Sequence, residues 1–114
     1  MKNKNKTYQV VLSTTIKACQ DLPEFRFISY QGTLCTNSAK AFGVTMTGYV
    51  KSEFASVINL GTIVIETSES IAIGDNVTSD SSGKARIASN TDQINGRALD
   101  SCTNSDYIRI LLTP

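Results

Sequence analysis

The sequence predicts a mainly β chain, a small single-domain β-barrel or β-sandwich with at most one or two short helices and a flexible N-terminal arm. Three observations predict it. β-Branched residues dominate, with 18 Ile and Val and 13 Thr among 114 residues, and such side chains suit a pleated, half-buried surface. Short segments alternate apolar and polar residues, the period of a strand with one buried face. Gly, Asp and Asn fall about every 8–12 residues, the turn spacing of a small barrel or sandwich. A chain of this length buries roughly two-thirds of its unfolded surface and folds as one unit. The expected division is an arm over residues 1–8 and one β domain over 9–114.

The elements follow in order. Tyr8–Leu12 reads as a first strand. Asp21-Leu22-Pro23-Glu24 is a turn or single helical turn, because Pro23 has no N–H for a ladder and suits a first helical position. Phe25–Ser29 alternates, with Phe25 and Phe27 on one face. Thr33–Lys40 is polar enough for a loop or short helix, and Ala41–Thr45 resumes a strand in which Gly43 permits close backbone approach or a bulge. Ala55–Thr67 is the longest strand signal, interrupted by Asn59 and Gly61, with Ile63 and Ile65 on one face. Asn76-Val77-Thr78 is a short strand, Asp80-Ser81-Ser82-Gly83 a reversal, and Lys84–Ala88 the return, with Ala85 and Ile87 inward. Asn95-Gly96 is a tight turn or a bulge opening a strand. Tyr107–Leu112 closes the chain with Ile108, Ile110 and Leu112 on one face. Leu111 makes it apolar on both sides, as in a central strand or one at a subunit contact.

Composition argues against most chemistry. Histidine is absent, which removes the usual general base and triad partner. Asp75 and Asp80 are five residues apart, but both sit in turns where Asp bonds the backbone. Cys19, Cys35 and Cys102 are widely spaced and lack histidine partners, so they read as buried free thiols, not zinc ligands. No enzyme activity, cofactor or metal is expected. No apolar run approaches the roughly 18 residues of a membrane span, and the first residues lack the apolar core of a signal peptide. The expectation is a soluble protein made in a cytoplasm, with no membrane partner. Net charge is +1, yet Lys2, Lys4 and Lys6 fall in the first six residues, leaving eight basic and ten acidic side chains beyond them. A body of that sign is a poor nucleic-acid binder. The four Phe are expected in the core, and the basic start is a candidate arm that orders on a partner.

From Phe25 onward the chain resembles the small capsid decoration, or capsid cement, proteins of tailed bacteriophages, kin in fold to the lambda-type head decoration protein. Five segments carry the resemblance: 41–44 (Ala-Phe-Gly-Val), 61–66 (Gly-Thr-Ile-Val-Ile-Glu), 71–80 with Gly83-Lys84-Ala85, 94–100 (Ile-Asn-Gly-Arg-Ala-Leu-Asp) and 106–112 (Asp-Tyr-Ile-Arg-Ile-Leu-Leu). The third and last are the most specific, joining a Gly-Asp turn, a Ser-Asp-x-x-Gly hairpin and a closing apolar strand. The chain departs from the family at Asp100, where Glu is frequent, and at Ser101–Ser105.

The resemblance implies a homotrimer on the outer capsid surface of the virion, at threefold or quasi-threefold positions, clamping neighbouring major capsid protein subunits. The expected capsid-binding residues are Lys2, Lys4, Lys6, Thr7, Tyr8, Gln9 and Val10, in an arm that can add a strand to the shell. The alternative is a head-fibre or surface module that binds host glycans through Tyr30 and Tyr49.

Overall fold

The computed structural model describes residues 5–113. They form a nearly closed antiparallel β-barrel with no helix among them. The strands are β1 (Val10–Lys17), β2 (Phe27–Ile28), β3 (Gly43–Thr45), β4 (Phe54–Glu66), β5 (Asn76–Ser79), β6 (Ala85–Ile87), β7 (Gly96–Ala98) and β8 (Tyr107–Leu112). Their spatial order is β2-β3-β4-β8-β7-β5-β6, with β1 paired to β4 off this path. The two ends approach where Phe27 N donates to Gly83 O at 2.7 Å and where Thr67 bridges Ala85.

β4 is the organising strand. Its first half pairs with β1 on one edge and β3 on the other, Ile58 facing both Ser13 and Val44. Its second half pairs with β8 from Thr62 to Glu66. The interruptions seen at Asn59 and Gly61 do not end the strand. The β1–β4 register shifts there, and Gly61 adopts φ 108°, a backbone conformation L side chains rarely take. A Cβ at Gly61 would also lie 2.3 Å from Gln9 O.

The barrel core holds Phe27, Val44, Ile58, Ile63, Ile65, Val77, Ile108 and Ile110, all buried. A smaller cluster of Ala18, Leu22, Ile28, Ala55 and Val57 sits beside it. The turn at Asp80 forms as expected. Gly83 takes φ 76° and donates to Asp80 O, whose carboxylate accepts from Ser82 N and Lys84 N. The final strand has its expected bounds, with Ile108, Ile110 and Leu112 inward and Leu111 half-exposed between Thr62 and Arg97.

Several expectations are corrected. The first strand runs to Lys17, because its later residues find β4 as a partner, a pairing local sequence does not announce. The 21–24 segment forms no helical turn, and Leu22 instead bridges Tyr49. Of the loop or short helix expected over 33–40, the loop is what forms. Ile87 is exposed, since β6 ends at the barrel rim. Cys35 is buried, but Cys102 is only half-buried and Cys19 is exposed. Of the four Phe, Phe25 and Phe27 are core residues, Phe42 is half-buried and Phe54 is exposed.

A pair of substitutions on β8 tests this architecture. Ile110→Ala opens a cavity in the barrel and costs about 2–5 kcal/mol, whereas Leu111→Ala one residue on costs no more than about 1 kcal/mol. Urea unfolding of both variants measures the difference, and equal losses would contradict the assigned faces.

Candidate functional site

β1 is the unusual element. None of its eight residues is buried, although four of them are Val, Leu or Ile. It touches the barrel through β4 on one edge only, and among the described residues no strand covers its other edge. From Val10 to Ile16 it carries no charge. Natural edge strands are shielded by Lys, Pro or a covering loop, because unpaired N–H and C=O groups invite another strand. A bare apolar edge of this length is a candidate interaction surface.

The predicted capsid-binding residues divide. Lys2 and Lys4 lie outside the described residues. Lys6 makes an ion pair with Asp100 at 3.9 Å. Asp100 is held below the usual carboxylate range, chiefly by hydrogen bonds from the Arg109 side chain. Gln9 is fixed to the body: its N–H donates to Thr62 O and Oγ1, and its carbonyl accepts from Thr62 N. Thr7, Tyr8 and Val10 are exposed along the same path. The structure thus lays residues 6–10 beside β4 and leads them straight into β1.

A second feature lies where β3 and β8 stop short of each other along β4. Both pair with the same edge of β4, one after the other, and a crevice of about 270 Å³ opens between their ends. Leu12, Tyr30, Lys40, Phe42, Leu60 and Leu112 line it. Tyr30 leans on Phe42 with ring centroids 5.0 Å apart. Asn59 bridges the gap by donating from Nδ2 to Phe42 O at 2.8 Å, while its Oδ1 is buried with no partner. Lys40 Nζ donates to Ile94 O and Thr113 O, each at 2.7 Å, and burial lowers its pKa.

One polar staple holds a crevice wall and a second ties the loops beyond it. Buried Asn95 accepts from Ala41 N through Oδ1 and donates from Nδ2 to Ala39 O. Asp92 accepts from the Ser38 hydroxyl, from Ser89 N and from both terminal nitrogens of Arg86. These contacts, led by the Ser38 hydroxyl, hold the Asp92 carboxyl far below the usual range.

The remaining candidates have structural duties. Asp75 accepts from Ala72 N, and Asp80 closes its own hairpin. Arg26, between the two core Phe, points the other way and clasps Glu66 through Nε and Nη2. Tyr30 is 60% exposed, but Tyr49 is half-buried with its hydroxyl accepting from Ser56 N. Sequence reasoning missed Phe54 and Lys40. For Phe54 a signal existed: it shares strand parity with Ser52 and Ser56, opposite Ala55 and Val57. Lys40 gave none, since its partners come from residues more than 50 positions away.

No family model matches the chain, and no curated protein does. Among solved structures it is similar to the N base of head fiber gp8.5 in bacteriophage phi29. The TM-score is 0.74 at 18% identity, covering 90% of this chain and 93% of that one. At this identity the likeness establishes a shared fold. The neighbour is a head-fibre base, not one of the decoration proteins that the five segments resemble.

Asp92 supplies a pH test. Its carboxyl titrates lower in the folded chain than the roughly 3.9 of an unfolded Asp, so the native state binds fewer protons there. That stability is present above about pH 4 and lost as pH falls below it. Asp92→Asn removes this share, so its unfolding midpoint varies less between pH 5 and pH 3 than that of the unsubstituted chain. Parallel pH profiles would refute the assignment.

Proposed function

We propose that this chain is a non-enzymatic structural protein of a tailed-phage head. In this reading it is made in the host cytoplasm and binds the outer capsid surface as a homotrimer. It sits at threefold or quasi-threefold positions and clamps neighbouring major capsid subunits. The observation that carries the reading is β1, a strand at an open edge with no buried residue and no charge from Val10 to Ile16, in a fold shared with a phage head-fibre base. Such an edge accepts a strand from the shell, main-chain hydrogen bonds giving affinity without any reactive group. Threefold repetition multiplies three weak contacts into one firm attachment. The lysines at positions 2, 4 and 6 add attraction to an acidic surface.

A second reading is supported by the neighbour itself: the domain is the capsid-bound base of a head fibre. In this form the attachment to the shell is the same, and the difference lies in what the exposed side carries. Glycan binding by such a module would rest on Tyr30, the aromatic residue left open beside the crevice.

Deleting residues 1–8 should leave a folded body, because Gln9 onward carries the pairing to Thr62 and β4. Capsid binding by that variant, measured by co-sedimentation with particles stripped of the protein, should fall sharply. Full-strength binding would rule out the arm. For the intact chain, raising salt from 0.1 to 1 M shortens the screening length from about 10 to 3 Å and should weaken binding. Indifference to salt would assign the affinity to strand pairing alone. In purified virions there should be three copies of the chain per threefold or quasi-threefold site of the shell; a chain absent from virions would defeat both readings.

A further inference from the structure

Among the described residues Phe54 is the most exposed aromatic. Phe54 opens β4 opposite Lys17, is 72% exposed, and follows the exposed Val50 on the same end of the body. The crevice between β3 and β8 is the reverse case, a hollow with aromatic and aliphatic walls. At about 270 Å³ it exceeds the roughly 150 Å³ of an apolar cavity that accepts a benzene ring. Phe54 does not reach its own crevice. Six residues of extended strand separate it from Leu60 in the crevice wall, about 20 Å at the usual rise.

Charge follows the same division. Lys40 sits in the crevice with only backbone carbonyls as partners, and no carboxylate lies within 4.0 Å of it among the described residues. Glu53 adjoins Phe54. Its side chain accepts from Val50 N, and it has no cationic partner within 4.0 Å among the described residues. Apolar knob and apolar hollow are thus each accompanied by one unmatched charge, of opposite sign.

We propose that the occupant of the crevice is a second copy of this chain: Phe54 of one copy enters the crevice of the next, and Glu53 meets Lys40 at its rim. This rests on the homotrimer in the reading above and assigns its contact. Knob and hollow are different patches, so the contact is heterologous, and repetition either closes a ring or runs on as a filament. Three copies close the ring when successive copies turn by a third of a revolution. The arrangement leaves the outer edge of β1 available to the capsid.

The test uses the purified full chain without capsids. The sequence contains no Trp, so F54W places one reporter on the knob while keeping its aromatic character. Its emission should be blue-shifted at concentrations where sedimentation shows a trimer, and should shift red on dilution to monomer. F54A should remain folded by circular dichroism and raise the half-assembly concentration by about tenfold or more, as a buried aromatic contact does. E53K should raise it a few-fold, as an exposed ion pair does, and adding K40E to it should recover part of the loss. A water-exposed indole in a trimeric F54W, or unchanged assembly by F54A, would overturn the contact. So would a chain that stays monomeric at every concentration. Retained capsid binding by an F54A trimer would overturn this contact while sparing the capsid reading. An assembled F54W trimer with a buried indole that ignores capsids would do the reverse.

Discussion

The thirteen residues of β4 are the constraint on which the remaining strands depend. One continuous strand serves β1, β3 and β8, and it does so by changing partners midway. The change needs a local irregularity, and Asn59, Leu60 and Gly61 provide it. The register slips, Gly61 takes a positive φ, and the Asn59 amide stitches the gap to Phe42. Without that slip β4 would present one face throughout. With it, Ala55 and Val57 serve the small cluster while Ile58, Ile63 and Ile65 serve the barrel. The crevice is the geometric consequence, because β3 and β8 end on the same edge without meeting.

Charged groups in this molecule tie loops to the barrel. Glu66, itself buried, gathers Arg26 and Lys84 from two different segments, and Arg26 also reaches Ser82 O. Asp92 collects Ser38, Arg86 and Ser89, and Asp100 collects Arg109 and Lys6. Leaving any of these carboxylates unmatched at low exposure costs more than the pair itself contributes. Short strands of two or three residues make this necessary: β2, β3, β6 and β7 hold few ladder bonds of their own.

Function in this reading comes from what the single chain fails to cover. β1 offers an edge and apolar side chains, Phe54 offers a ring, and the crevice offers a place for one. An edge strand with no buried residue is held weakly by the single chain. Partners that cover it gain both main-chain hydrogen bonds and apolar area. In this reading assembly and attachment use adjoining surfaces of one small body, since Leu12 of β1 also lines the crevice.

Sequence alone determined the β class, the Asp80–Gly83 reversal and the bounds and faces of Tyr107–Leu112. In each, alternation and turn chemistry are local and unopposed. It also marked Asp75 and Asp80 as turn residues, since a short carboxylate bonds the backbone within a few positions. Only the tertiary structure decided how far β1 extends, because Ser13–Lys17 become a strand through residues some 40 positions away. It likewise turned Phe54, Ile87 and Cys19 outward, although their types favour burial, since burial depends on what packs above a face. The crevice and its lysine were beyond reach of any local pattern: they exist where the ends of two distant strands stop short of each other along a third.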